Sequence, residues 1–210
     1  MPETFVVAFV IGVTPNKWAR VWNERMPHLP LELRPSSRHD AVAGLESGEV
    51  HAAFLRDHDG ASAIRLYEEL PVVVAPKEHA VLALDRLTPS DLAEETVLEY
   101  SEEAAASVAE LVGTNVGVAI MPQSVARSVS RRDVEVRPFA GESTFVSLVW
   151  TEKTDAVEEL IGIVRGRTAN SSRSTEAPVK KLSASQKAAA KKARAEATKR
   201  PVKKPSKKKR

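Results

Sequence analysis

Apolar positions along this chain come in two rhythms. Phe5 to Val13 is a nearly unbroken apolar run in which Val6, Val7, Phe9, Val10, Ile11 and Val13 leave almost no polar face. A strand covered on both sides reads this way. Thr14-Pro15 follows; Thr is a good N-cap, and Pro at the first helical position has no N–H to leave unpaired. Trp18, Val21 and Trp22 then recur at i, i+3, i+4, one apolar stripe of a helix. A buried strand feeding a helix is the first half of a βαβ unit. Its turn lies at the carboxyl end of the strand, where open α/β sheets bind ligands, and free N–H groups at the helix start favour an anion. Taken alone, the turn equally describes a Thr14 that only caps a helix.

The same two rhythms continue to about residue 167. Met26-Pro27 and Pro30 break the first helix, and Leu31 to Arg34 alternates like a strand. A helix is expected from about Asp40, a candidate N-cap, to Gly48, which suits a left-handed C-terminal position. Val50 to Leu55 and Pro71 to Ala75 read as buried strands, with Ile64 to Leu70 leading into the second. The order β-α-β-α-β-β marks an α/β protein. Further on, a short helix is expected near Thr88 to Leu92, a strand at Val97 to Tyr100, and a helix over Glu102 to Val112. Asn115 to Pro122 reads as a tight turn, a buried strand and a stop. After it come a helix over Gln123 to Val129, strands at Val134 to Phe139 and Thr144 to Trp150, and a last helix over Thr154 to Arg167.

From Ala169 the periodicity stops and the composition shifts to Lys, Ala, Arg, Pro and Ser. Residues 169–210 are therefore expected to be a disordered basic tail, with too little apolar content to fold alone. Gln186 to Lys199 has helix propensity but no apolar face. The overall charge of +3 conceals this division. Residues 171–210 hold fifteen Lys and Arg against two acids, +13, which leaves sixteen basic and twenty-six acidic residues, −10, in 1–170. The acidic body repels nucleic acid and the tail attracts it. The tail resembles those of linker histones and bacterial nucleoid proteins in composition. Its candidate nucleic-acid residues are Lys180, Lys181, Lys187, Lys191, Lys192, Arg194, Lys199, Arg200, Lys203, Lys204, Lys207, Lys208, Lys209 and Arg210. Such contacts are to phosphates and carry no base readout.

The absence of cysteine excludes disulfides, thiolate metal sites and a cysteine nucleophile, and it suits a reducing cytoplasm. No apolar run reaches the length of a membrane span. The five histidines form no His-x-x-x-His or H-E-x-x-H pair. Asp57-His58-Asp59 reads as a polar loop tip. The pairs Glu68-Glu69, Glu94-Glu95 and Glu158-Glu159 read as solvated surface, the default for paired carboxylates. Trp18, Trp22 and Trp150 read as core. No phosphate loop, dinucleotide fingerprint or nucleophile elbow occurs. The expectation is no enzyme, no cofactor and no metal.

Four segments resemble the effector-binding (substrate-binding) domain of LysR-type transcriptional regulators, a type 2 periplasmic-binding-protein fold. They are FVIGVTPNKWARVWNERMPHLPLEL, LESGEVHAAF, PVVVAPKEHAVLAL and VGTNVGVAIMP, in the family's order. The match departs from the family at His51, where Asp is usual, and at Asn115, which replaces the first Gly of a G-x-G. Asn tolerates the positive φ this turn needs. The resemblance implies a two-lobed domain over 4–168, with lobe one at 4–73 and 148–168 and lobe two at 74–147. Lobe two is expected to be reduced, because few residues separate the Tyr100 and Ala105 regions. The family's winged helix-turn-helix is not expected, since Met1 stands four residues before the first strand. Matching positions put Thr14, Asn16, Ser36, Ser37, Arg38 and Arg56 on one wall of a cleft and Asn115 and Gly117 on the other, a set suited to a small carboxylate effector.

The expectation is thus a non-enzymatic, cytoplasmic regulatory protein, with nucleoid association through a tail that contacts nucleic acid non-specifically. The body would form a homodimer or pair with a full-length regulator through sheet edges or its first helix. The alternative is a small-molecule binding module with an incidental tail.

Overall fold

The computed structural model describes residues 4–60 and 62–167. Nine strands and five α-helices occur among them, with two short 3₁₀ turns at Ala80–Ala83 and Pro89–Leu92. The strands are β1 (Phe5–Phe9), β2 (Leu31–Pro35), β3 (Ala52–Arg56), β4 (Ala63–Glu69), β5 (Pro71–Pro76), β6 (Val97–Leu98), β7 (Val118–Pro122), β8 (Val134–Pro138) and β9 (Thr144–Val149). The helices are α1 (Asn16–Arg25), α2 (Arg38–Ser47), α3 (Ala105–Gly113), α4 (Gln123–Ser128) and α5 (Asp155–Val164).

The strands divide into two sheets, one per lobe. Lobe one carries the order β2-β1-β3-β9-β4 and lobe two the order β6-β7-β5-β8. In lobe one, β1 pairs in parallel with β2 and β3, while β9 runs antiparallel between β3 and β4. The parallel strands β1 and β3 are buried almost throughout, whereas the edge strand β2 is mixed. In lobe two, β5 sends Val72 and Val74 into one cluster and Val73 and Ala75 into another, so it is covered on both faces.

The chain passes from the first sheet to the second at Leu70, between β4 and β5, and returns before Thr144 at the start of β9. Both crossings lie slightly ahead of the expected boundaries at 73/74 and 147/148. The second sheet has four strands to the first sheet's five. Its edge strand β6 is only two residues long and leads to α3 with no element between.

The two tryptophans anchor α1. Trp22 is fully buried, stacks on Phe5 with ring centroids 4.6 Å apart, and donates its Nε1–H to the Leu29 carbonyl at 2.9 Å. Trp18 stacks on Phe54 at 4.9 Å. Arg25 in the last turn of α1 pairs with Glu159 of α5 at 3.0 Å. Burying two aromatic side chains of this size stabilises the lobe by several kcal/mol, at about 1.5–3 kcal/mol for each large apolar group.

Two local expectations are corrected. The first strand ends at Phe9, not Val13, because the chain turns at Ile11 and Gly12, where φ is +82°. Thr14 is exposed and makes no capping hydrogen bond. Pro15 occupies the cap position, and its carbonyl accepts from Trp18 and Ala19 N–H. The cap of α2 is Ser37, not Asp40. Ser37 Oγ accepts from Asp40 N–H at 3.0 Å and donates to the Asp40 carboxylate at 2.8 Å. Gly48 does take the left-handed position after α2, with φ +79°.

Candidate ligand cleft

The carboxyl ends of β3 and β4 flank the start of β9, which brings Arg56 and Glu69 together inside the protein. Only 4% of Arg56 and 6% of Glu69 is exposed. Arg56 Nε donates to Glu69 Oε2 at 2.5 Å, and Nη2 lies 3.5 Å from Oε1. The rest of the guanidinium reaches lobe two. Nη1 donates to Glu102 Oε1 at 2.8 Å, and Nη2 donates to Ser124 Oγ at 2.9 Å. The Arg56 carbonyl accepts from Arg38 Nη1. Burial opposes the charge on Arg56, but hydrogen bonds and charges from Glu69 and Glu102 more than offset it, so its pKa lies above the ordinary value. Glu69 corrects the reading of Glu68-Glu69 as solvated surface. Alternation along β4 turns Glu68 out and Glu69 in.

Around this centre lies a cavity of about 400 Å³ between the lobes. Arg38, Arg56, Asp57 and Thr144 of lobe one line it, with Pro71 of lobe two. Tyr100 to Glu103, Ile120 to Pro122 and Glu142 line the rest. A smaller cavity of about 190 Å³ shares Glu102 and Glu103 and is bounded by Ile11, Ser36 and Ser37. Two hydroxyls at the main cavity are buried without a hydrogen-bond partner among the described residues, Tyr100 Oη and Thr144 Oγ1. Burial pushes the Tyr100 phenol well above its ordinary range, so it stays a neutral donor. No ion pair engages Arg38 among the described residues, and one edge of its guanidinium is uncommitted.

Of the residues expected to bind a ligand, Ser36, Ser37, Arg38 and Arg56 come together here. Thr14 and Asn16 are exposed and line neither cavity. Asn115 and Gly117 lie at the amino end of β7, while the cavity touches its carboxyl end at Ile120 to Pro122. Gly117 stands three residues before Ile120, on the order of 10 Å along the strand. Asn115 takes φ +64° as its turn requires, and Gly117 packs against Thr96, where a Cβ would come within 2.2 Å of the carbonyl oxygen. Asn115 thus turns the chain into β7, and Gly117 admits the close approach of the Thr96 backbone. The tail candidates from Lys180 to Arg210 lie outside the described residues.

The sequence reading did not single out Tyr100, Glu102, Ser124 or Thr144. Glu102-Glu103 looks like any solvated acidic pair, and nothing local shows that Glu102 meets an arginine forty-six positions away.

A family model described as the LysR substrate binding domain matches residues 16–107. Solved structures of the same type superpose on nearly the whole body. One is the regulatory domain of a Pseudomonas aeruginosa OxyR mutant, at 19% identity, covering 79% of this chain and 97% of that one with a TM-score of 0.62. Another is a BenM variant effector-binding domain, at 16% identity, 78% and 93% coverage, and a TM-score of 0.64. Residues 16–107 thus resemble the LysR substrate-binding domain, and the body shares the fold of solved LysR-type effector-binding domains. No curated protein matches the chain by sequence.

The BenM effector-binding domain is also known with its effector benzoate, and that structure matches at 16% identity with a TM-score of 0.62, covering 78% of this chain and 90% of that one. No group of His, Cys, Asp and Glu able to hold a metal occurs among the described residues. Asp59 of the 57–59 loop tip pairs with Arg65 at 2.6 Å. No helix among the described residues is long and apolar enough to cross a membrane.

Proposed function

We propose that the body is a non-enzymatic, LysR-type regulatory substrate-binding domain that senses a small carboxylate with an apolar body in the cavity between its lobes, and that residues 171–210 hold it on nucleic acid. The observation that carries the ligand reading is the convergence of uncommitted donors on one cavity. Arg38, with one guanidinium edge uncommitted, and Tyr100 and Thr144, whose buried hydroxyls have no partner among the described residues, line it together with Pro71, Ile120, Met121 and Pro122. Buried hydroxyls without partners carry a cost of about 1–3 kcal/mol each, which an accepting ligand relieves. A carboxylate accepts at both oxygens, and the apolar residues cover its body.

The test is a thermal-shift and calorimetric screen of the full chain with benzoate and with short aliphatic carboxylates. The expected result is a saturable shift that falls at least tenfold in affinity in Arg38→Ala and weakens in Tyr100→Phe. No shift with any carboxylate overturns the ligand reading. The tail reading rests on charge alone, and the same protein lacking 171–210 tests it separately. The body is also proposed to pair with a second copy or a full-length regulator through its sheet edges or α1.

A further inference from the structure

Arg56 holds more negative charge than it needs. Glu69 belongs to the same lobe, is nearly as buried, and by itself neutralises the guanidinium. Glu102 is a second carboxylate on the same cation, and it comes from the other lobe. Its side chain is 18% exposed against 4% for Glu69. It stands on the short connection from β6 to α3 rather than in a strand. Of the two partners, Glu102 is the less desolvated and the more weakly held, and its removal still leaves Arg56 paired. It also occupies the donor that an incoming carboxylate would use.

We propose that Glu102 is a tethered counter-anion that occupies Arg56 and latches the two lobes together until a carboxylate ligand displaces it. Two further contacts cross at the same place. Ser124 of α4 accepts from Arg56, and the turn at Gly12 packs against the start of α4, where an added Cβ would meet Ser124 and Val125 at 2.8–2.9 Å. Ile11 from lobe one packs on the lobe-two core cluster. The latch therefore sits at the seam. A tethered carboxylate competes as though it were present at about millimolar concentration or above, so a free ligand binds only after exchange. The competition half of this proposal rests on the carboxylate reading of the cleft. The latch half rests on the Arg56 contacts alone.

The experiment uses the full chain, whose lack of cysteine allows Glu46→Cys on exposed α2 and Glu110→Cys on exposed α3 to be spin-labelled as a cross-lobe pair. Distance distributions are compared with and without Glu102→Gln, which keeps the side chain's shape while removing its charge. Benzoate binding is measured in parallel. The expected result is a longer or broader distance distribution in Glu102→Gln and benzoate affinity raised about tenfold, with Glu102→Asp intermediate in both. An unchanged distance distribution overturns the latch. A wider distribution with neither benzoate nor any short aliphatic carboxylate bound by either protein supports the latch and overturns the carboxylate reading. A wider distribution with equal benzoate affinity overturns the displacement step.

Discussion

Arg56 shows how one residue can be legible in kind and misread in circumstance. Its place at the end of a buried strand identifies it as a cleft residue. Sequence does not show that two carboxylates already occupy it. The energetic consequence is asymmetric. A buried ion pair contributes little net stability relative to a well-packed apolar pair, but removing one partner leaves the other charged and buried. Arg56→Met is therefore expected to destabilise the domain by about 3–5 kcal/mol, because Glu69 loses the one cation that pairs with it among the described residues. Paired replacement, Arg56→Met with Glu69→Leu, should recover most of that loss. Urea denaturation of the single and double variants measures both, and equal loss in the two would mean the pair is not the unit of stability.

At the scale of elements, the apolar run after Met1 serves two cores rather than one strand. Phe5 to Phe9 builds β1, and Ile11 then leaves the first sheet to pack on the second lobe. The turn between them depends on Gly12. Its φ of +82° costs an L-residue about 1–2 kcal/mol, and the helix start beside it leaves no room for a Cβ. Gly48 provides the comparison, since its φ is +79° with nothing within 4 Å of a built Cβ. Gly12→Ala should lower stability by more than Gly48→Ala, whose cost is backbone strain alone. The difference between their urea midpoints isolates the contact across the seam. Equal losses would mean that the α4 start moves aside freely. Elements with a strong local signature were legible: the Trp18 and Trp22 stripe, the Gly48 stop, and the doubly covered β5. Boundaries were less so, because an apolar run does not say which core receives it.

At the scale of the whole molecule, charge separates a body of −10 from a segment, 171–210, of +13. Deleting 171–210 should abolish low-salt retention of DNA in a gel shift or on heparin, since a net-negative body repels the phosphate backbone. With the tail present, binding should be non-specific, with a Kd of roughly 10⁻⁴–10⁻⁶ M and a steep decline as salt rises. Unchanged DNA binding by the truncated protein overturns this assignment. The fold itself matches LysR effector domains over nearly their full length at under 20% identity. Such divergence keeps the pattern of buried strands while leaving cleft side chains free to change.

Sequence alone determined what depends on neighbours along the chain: the α/β alternation, the family resemblance, the tryptophan-anchored first helix and the division of charge at about residue 170. These follow from periodicity and composition, which are local properties. Tertiary structure alone decided which polar groups meet. It placed Ser36, Ser37, Arg38 and Arg56 at the cleft, left Thr14, Asn16, Asn115 and Gly117 off it, and brought Tyr100, Glu102, Ser124 and Thr144 to it. The physical reason is separation. Arg56 finds Glu69, Glu102 and Ser124 at thirteen, forty-six and sixty-eight positions away, and the sheet crossings that bring them together have no signature at any one of those residues.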